Sequence, residues 1–523
     1  MSQLVSDLQD AGFQLIETHI SWVFIGQDEV FKVKRPVDFG FLDFSTLAKR
    51  RAACEAEFEL NQRLAPSVYL GVVPISLDDR GRHQLNAQGE PVDWAVHMRR
   101  LPDEGRADIL LQSGDLTGAR IDALAAHLAE FHERARCDDE TRRHGSVRVI
   151  RANVEENFAQ TADCIEQYLS ASQAAEIRKW QLQTLEQEEL FEARIRSERV
   201  RDGHGDLRLE HVYFLENESI AVIDCIEFNE RFRYADVCAD IAFLSMDLTW
   251  HGRADLAERF LAQYARHAND YDLYSVVNFY ESYRAFVRGK ISALVEKDPS
   301  MPAAVRERAH RDARRYFLLS LAFERPPATA PALIAVGGMI ASGKSTVAQQ
   351  LAELLSAPVL SSDRTRKQLM GKAATESIAG EAWTGAYAAE TTQATYDELW
   401  RQAELILASG RPVIVDASFR SREMREAARD LAGRQNAAFL MLECVAPKAV
   451  LFQRLRARET AGPQESDARS ELLEEFQKNF EPIRELAGKE HLRIDSTATD
   501  EVMTRSLREA LDRFSSDLVV DRS

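Results

Sequence analysis

The sequence predicts two domains in tandem, the first α+β and the second α/β. Three observations carry this expectation. The chain has 523 residues, more than one hydrophobic core accommodates. A strand-rich stretch over residues 20–98 gives way near residue 118 to a long helical stretch. After the proline-rich tract Arg325-Pro-Pro-Ala-Thr-Ala-Pro331, short apolar strands alternate with helices to the end, the pattern of a parallel sheet covered on both faces. The expected boundaries are a first domain at 1–325, a linker at 326–331 and a second domain at 332–523.

In the first domain, Ser-Trp-Val-Phe-Ile and Val-Phe-Lys-Val-Lys flank Gly-Gln-Asp-Glu and read as a hairpin over 20–36. Residues 45–64 read as a helix, with Leu47, Phe58, Leu60 and Leu64 at helical spacing and Pro66 as its stop. Val68–Leu77 and Val92–Met98 read as strands around a polar turn. The helical stretch is interrupted at 200–227, where the apolar runs Val212–Leu215 and Ile220–Ile223 bracket Glu-Asn-Glu, a short hairpin. Leu182–Ile195 reads as one acidic amphipathic helix. In the second domain the expected strands are Leu333–Val336, Pro358–Leu360, Pro412–Val415, Ala438–Leu442 and Leu492–Ile494.

Composition narrows the class. Hydrophobic content of 45% and charged content of 29% are those of a soluble globular protein. A net charge of −18 argues against general affinity for nucleic-acid backbone or anionic membrane. The cysteines at 54, 137, 164, 225, 238 and 444 form no Cys-x-x-Cys pair, so reduced thiols in a cytoplasm are expected. The N-terminus lacks the apolar core of a signal peptide. The uncharged run Pro326–Gly343 is broken by prolines and glycines and reads as linker, strand and loop rather than a membrane helix.

Two phosphate-handling motifs stand out. The run Gly338, Met339, Ile340, Ala341, Ser342, Gly343, Lys344, Ser345 is a complete Gly-x-x-x-x-Gly-Lys-Ser loop between an apolar strand and a helix. Its backbone N–H groups, continuing to Thr346, close around phosphate at a helix N-terminus. Lys344 is expected to reach the outer phosphates and Ser345 to ligate Mg2+. Asp363 and Asp416 end two strands of the same domain. Carboxylates there serve as base or metal ligand, because ligands bind at the carboxyl ends of such sheets. Arg420, Arg422 and Arg425 follow Asp416, and Arg454 and Arg458 share one helix face. Guanidinium groups so placed stabilise a transferring phosphoryl.

The second motif is His204-Gly205-Asp206 with Asp224 beyond the hairpin. One carboxylate serves the acceptor hydroxyl and the other a metal between phosphates. Upstream, Lys32 and Lys34 share one strand face. One of them is expected to pair with phosphate and with Glu57. Zinc held by His204, Asp206 and His211 lacks a supporting pattern and is disfavoured. His127, His132 and His144 read as solvated or capping residues.

Val-Lys34-Arg-Pro, Glu57, His-Gly-Asp206, Ile-Asp224-Cys-Ile-Glu and Asp240-Ile-Ala-Phe together make residues 1–325 resemble the aminoglycoside phosphotransferase and choline kinase-like family. That resemblance implies a protein-kinase-like two-lobed fold, ATP and Mg2+ as cofactors, Lys34 as the phosphate lysine, Asp206 as the base and Asp224 as a metal ligand. The family's second metal ligand is an asparagine, and His211 stands at that position. Residues 332–515 resemble P-loop kinases grouped with polynucleotide kinase, gluconate kinase and zeta-toxin, through the loop, Ser-Ser-Asp363-Arg-Thr-Arg366, Val-Asp416-Ala-Ser-Phe-Arg420 and Arg-Leu-Arg-Ala-Arg458-Glu. That implies a P-loop NTPase fold, with Asp363 activating an acceptor hydroxyl and Arg454 and Arg458 contacting phosphates. The function expected is ATP-dependent transfer of a phosphoryl to hydroxyls of small molecules at both sites. One alternative is a kinase of nucleic-acid ends or nucleotide-sugars with the first domain as carrier. Another is a nucleotide-sensing regulator with an inactive first domain.

Overall fold

The computed structural model describes the chain except residues 1–2, 19, 39–41, 217–218, 326–330, 374–375, 377–387, 461–469, 471–472, 487 and 519–523, and except the side chains of 458–460 and 515–518. Most of the expected linker falls outside the described residues. The chain forms two compact units: Met1–Arg253 with Phe279–Ala322, and Ala254–Asn278 with Phe323–Ser523. Residues 254–278 therefore group with the C-terminal unit, although the expected first domain ran unbroken to 325.

Unit 1 opens with helix α1 (Gln3–Asp10) and an antiparallel sheet of β1 (Gln14–Glu17), β2 (Ser21–Ile25), β3 (Glu29–Lys34), β4 (Tyr69–Leu77), β5 (His83–Leu85) and β6 (Asp93–Arg99). The strand order is β1-β2-β3-β6-β4-β5. One face buries Trp22, Phe24, Phe31 and Val33 against Leu4, Val5 and Leu8 of α1. The alternating aromatic and β-branched residues of β2 and β3 make that face. The other face carries helix α2 (Leu47–Gln62), whose N-cap Thr46 accepts from the Lys49 backbone N–H. α2 turns Cys54, Glu57 and Asn61 inward, and the polar ones serve the site below.

The second lobe of unit 1 is helical. Its small strands are β7 (Val200–Asp202), the hairpin β8 (Val212–Phe214) and β9 (Ile220–Val222), and β10 (Tyr234–Asp236), which pairs with β7. Tyr213 and Ala221 of the hairpin pack with Cys54, Val68, Tyr69 and Val96, joining the lobes through an apolar seam. The expected helix over Leu182–Ile195 is instead two, Ala171–Thr184 and Glu188–Arg196. No glycine or proline breaks it. Leu185 is buried at the turn, and the second helix buries Phe191 and aims Arg194 at Asp236, 2.8 Å away, so tertiary burial overrides helical periodicity.

Unit 2 is built on a parallel sheet of β11 (Ala332–Gly338), β12 (Val359–Ser361), β13 (Val413–Asp416), β14 (Ala438–Val445) and β15 (His491–Asp495). The order β12-β13-β11-β14-β15 puts β11 in the centre. Its apolar run is buried on both faces, which explains the lack of alternation in Leu-Ile-Ala-Val. Helices Lys344–Leu355 and Asp500–Leu518 pack over Ile334, Val336, Leu440, Leu442 and Ile494. The segment 254–278 is tied into this unit by polar contacts. Arg411 reaches Glu258 at 2.6 Å and Asn278 at 2.5 Å, Arg401 reaches Asp272 at 2.7 Å, and the Tyr271 hydroxyl donates to the Val359 carbonyl at 2.9 Å. Among the described residues no helix is long and apolar enough to cross a membrane.

Candidate active sites

In unit 1 the pleat of β3 puts Lys32 and Lys34 on the face turned to α2. Lys32 Nζ lies 2.8 Å from Glu57 Oε1 and 2.7 Å from Asp224 Oδ1. Lys34 Nζ lies 2.5 Å from Glu57 Oε2 and also pairs with Glu227. Burial opposes charge on Lys32, but Asp224 and Glu57 outweigh it and raise its pKa well above the ordinary lysine value. Burial also opposes charge on Glu57, and the two ammonium groups hold its pKa below the usual value. Lys34 is fully buried between its two glutamates, whereas Lys32 keeps 16% of its side chain exposed beside Asp224. The lysine expected to meet phosphate is thus the one behind, and Lys32 faces the carboxylate of the second motif.

The His-Gly-Asp segment is held from behind by Asp240, whose carboxylate accepts from the backbone N–H of His204 at 2.6 Å and of Gly205 at 2.8 Å. Residue 203 must be glycine for this approach, since a Cβ there would stand 2.3 Å from Asp240 Oδ2. Gly205 takes a φ of +86°, which redirects the chain so that Asp206 leaves the loop. His132, expected at a solvated surface, is instead buried with Nε2 3.4 Å from Asp240. Its helix, Gly118–Arg134, carries it on the apolar stripe beside Leu128 and Ala129.

His204 donates from Nε2 to the Ile223 carbonyl at 2.9 Å and accepts at Nδ1 from the Asp206 N–H at 3.3 Å, which fixes a neutral ring bridging the two motifs. Burial pushes its pKa down to about 4 from 6.5. The unfolded chain takes up that proton near the ordinary value and the folded chain only near the lowered one. Stability therefore falls as pH drops through that window, by about 1.4 kcal/mol per unit and about 3 kcal/mol in all. We expect urea melts of the wild type to show this loss and a His204→Gln variant to lack its share. Parallel pH profiles for the two proteins would refute the neutral, buried histidine.

Asp206 is clasped by Arg208, Nε and Nη2 each 3.0 Å from one carboxylate oxygen. Burial works against its charge, but Arg208 more than compensates, leaving the carboxyl well below the usual carboxylate range. Asp224 stands at a φ of +65°, an uncommon setting for a residue with a side chain. Its N–H donates to the Tyr69 hydroxyl at 3.3 Å, and the next N–H, of Cys225, donates to Asn61 Oδ1 at 2.9 Å. Helix α2 and strand β4 thereby fix the strained turn. Burial again opposes charge on Asp224, with Lys32 pulling its pKa far down. His211 donates from Nδ1 to the Asp206 carbonyl at 2.8 Å, and its Nε2 stands 3.7 Å from Asp224 Oδ2. Lys32, Glu57, Asp206, His211 and Asp224 thus converge, joined by Glu227, the last residue of the Ile-Asp224-Cys-Ile-Glu motif, while Arg208 belongs to the cluster without having been singled out.

In unit 2 the phosphate loop leaves the carboxyl end of β11. Gly338 takes a φ of +138°, and a Cβ there would meet the Cys444 carbonyl at 2.5 Å. Gly343, at +86°, passes 2.9 Å from the Ser496 Cβ by the same measure. Ile340 and Ala341 anchor the loop on Leu451, Leu455 and Leu473. Lys344 Nζ donates to the Met339 carbonyl at 2.9 Å, and Ser345 and Thr346 are exposed at the start of the following helix. Ser342 Oγ is buried without a hydrogen-bond partner.

The parallel register sets Asp416, the last residue of β13, beside Val336 of β11 and Ser361 of β12. Asp363, expected to end a strand, stands instead in the first turn of the helix Ser362–Leu369, because Ser361 ends β12 and caps that helix by accepting from the Arg364 N–H. Asp416 is buried, and Asp363 pairs with Arg366 at 3.1 Å. Arg454 buttresses the loop, donating to the Ala341 carbonyl at 3.3 Å and to the Ser496 carbonyl at 2.7 Å. The side chain of Arg458 lies outside the described residues. The arginine cluster after Asp416 is not one basic face. Arg422 pairs with Glu426 at 2.8 Å, and Arg425 is fully buried on the Phe419 carbonyl at 2.8 Å and on Glu485. On the β14–β15 side, a cavity of about 320 Å³ adjoins Met339 and Ser342 of the loop, with Glu443 and Arg493 in its wall.

Two family models match the chain, the first of them running on through Ala254–Asn278 of unit 2. A model of the phosphotransferase enzyme family matches residues 34–280, and a model described as an AAA domain matches residues 333–483. Proteins of Mycobacterium tuberculosis and Mycobacterium bovis are each 36% identical over 460 residues, spanning 87% of this chain and 88% of theirs. Among solved structures, a choline/ethanolamine kinase family protein from Mesorhizobium loti covers 60% of this chain and 92% of its own at 12% identity and a TM-score of 0.34. A gluconokinase from Sinorhizobium meliloti covers 38% of this chain and all of its own (100%) at 19% identity and a TM-score of 0.28. The chain belongs to the same family as the mycobacterial proteins, one that joins a phosphotransferase-family domain to a P-loop kinase domain, and it is an ATP-dependent kinase.

Proposed function

We propose that the chain carries two separate phosphotransferase sites, each moving the γ-phosphoryl of ATP to a hydroxyl of a small-molecule acceptor. Two observations carry this reading: the convergence in unit 1 of Lys32, Asp224, His211 and Asp206, and, separately, the intact phosphate loop of unit 2. In unit 1, Lys32 binds nucleotide phosphate. Asp206 accepts the acceptor's O–H proton as its oxygen bonds to phosphorus and the bond to the ADP oxygen breaks. Asp206 is a weak base, held far down by Arg208. Weakness is tolerable because the transition state is loose, and the proton need leave only once the new P–O bond is forming. In unit 2, Lys344 binds the outer phosphates, while Asp363 or Asp416 takes the acceptor proton. Mg2+ would be held by Asp224 and His211 in unit 1 and by Ser345 in unit 2, and it would neutralise phosphate charge. Fit to that ion rests on oxygen donors at Asp224 and Ser345, with a nitrogen donor at His211.

Transfer to nucleic-acid ends finds little support, because Arg422 and Arg425 are consumed by glutamates. The regulator reading has two observations in its favour, His211 at the position where the family has asparagine and the Arg208 clasp on Asp206.

Lysine substitutions test the unit 1 assignment on a Lys344→Ala background, where unit 2 is silent. Lys32→Met is expected to lower phosphoryl transfer on the order of a hundredfold without loss of fold. Lys34→Met is expected to destabilise unit 1 by about 3–5 kcal/mol, because Glu57 and Glu227 lose a buried partner. Normal turnover in Lys32→Met would sink the assignment.

A further inference from the structure

We propose that the cation site of unit 1 is tuned to a borderline divalent ion of the Mn2+ type over Mg2+, with His211 as a direct nitrogen ligand beside Asp224. The proposal rests on the reading above, that this site holds a nucleotide with its divalent ion.

The chemistry follows from how the ring is pinned. His211 is 7% exposed, and its Nδ1–H donates to the Asp206 carbonyl at 2.8 Å. That bond fixes the tautomer and leaves the Nε2 lone pair as the free donor atom. Nε2 points to the Asp224 carboxylate, 3.7 Å from Oδ2. Arg208 Nη2 lies 3.4 Å from Nε2, too long to hold it firmly. Neighbouring ligands on one ion with bonds of about 2.1 Å stand about 3 Å apart in a right-angled shell, so a small closure completes the pair. Among the described residues no group of three such side chains could hold an ion alone. Phosphate oxygens and water must complete the shell, as they do for ions carried by nucleotides. Mg2+ is a hard ion that favours oxygen and parts from water reluctantly, whereas imidazole suits the later divalent ions. The same ring hydrogen bond ties the ligand to the backbone of Asp206, so the ion and the base share one anchor.

The test uses the full-length protein with Lys344→Ala and Ser345→Ala, which silences the unit 2 site. Mn2+ is titrated with a non-hydrolysable ATP analogue, free Mn2+ is read by electron paramagnetic resonance, and Mg2+ is added in competition. Pulsed spectra then report nitrogen bound to the metal. The expected result is a nitrogen coupling that changes when the protein is made with heavy-nitrogen histidine, a readout independent of any variant. His211→Asn should abolish that coupling and shift the preference toward Mg2+ by about tenfold or more. Bound Mn2+ without a histidine signal, or an unchanged preference in His211→Asn, would overturn the proposal while leaving the nucleotide site intact. No bound ion of either kind would overturn both the proposal and the reading beneath it.

Discussion

Replacing Asp206 by asparagine is expected to lower phosphoryl transfer at the unit 1 site by about 10²- to 10⁴-fold, the usual worth of a positioned proton acceptor. The amide keeps the size of the carboxylate and can still accept one hydrogen bond from Arg208, so the loop held by Asp240 should persist. The loss should therefore fall on kcat, with nucleotide affinity nearly unchanged, because the phosphate ligand proposed above is Lys32 and not Asp206. Steady-state kinetics and a binding titration on the same preparation check both halves. A kcat within about twofold of wild type would remove Asp206 from the chemistry and favour the regulator reading.

Lys344→Ala is expected to lower turnover at the unit 2 site by about 10²- to 10³-fold, the range for loss of one charged group facing a transferring phosphoryl. Its effect on folding should be small. Lys344 Nζ rests on the Met339 carbonyl of its own loop and takes part in no ion pair among the described residues. Thermal melting and phosphoryl transfer measured together distinguish this from a folding defect. A fall in melting temperature that matches the fall in activity would contradict it.

The path of the Gly338–Ser345 loop was legible because consecutive residues dictate it. A glycine-rich turn between an apolar strand and a helix has few other outcomes, and the left-handed angles of Gly338 and Gly343 are those such a turn needs. The parallel sheet was legible for a related reason, since β11 and β13 are apolar without alternation. Depth along a strand was not legible. Period two puts Lys32 and Lys34 on one face, but whether a lysine meets Asp224 or is sealed under Glu227 depends on residues almost two hundred positions away.

Charge was misleading in the same way. Arg425 lies among arginines whose pattern points to a transferring phosphoryl, yet it is fully buried because Glu485 and the Glu481 carbonyl reach it from a distant segment and the Phe419 carbonyl from nearby. His132 follows a charged-looking helix into the space behind Asp240. The clasp of Arg208 on Asp206 was within reach of the sequence, two residues along the same loop, but spacing alone does not say that the side chain folds back. The grouping of Ala254–Asn278 with the C-terminal unit had no local signal, because its amphipathic helix fits any apolar surface.

Independence of the two proposed phosphotransferase sites is the decisive expectation. It is tested most directly by offering ATP and a pooled library of metabolites, sugars, aminoglycosides and oligonucleotides to wild type, Asp206→Asn and Lys344→Ala, and identifying every phosphorylated product. Each variant is expected to lose a different product and keep the other. Loss of all products in Lys344→Ala, with none lost in Asp206→Asn, would contradict it and leave unit 1 as a binding module.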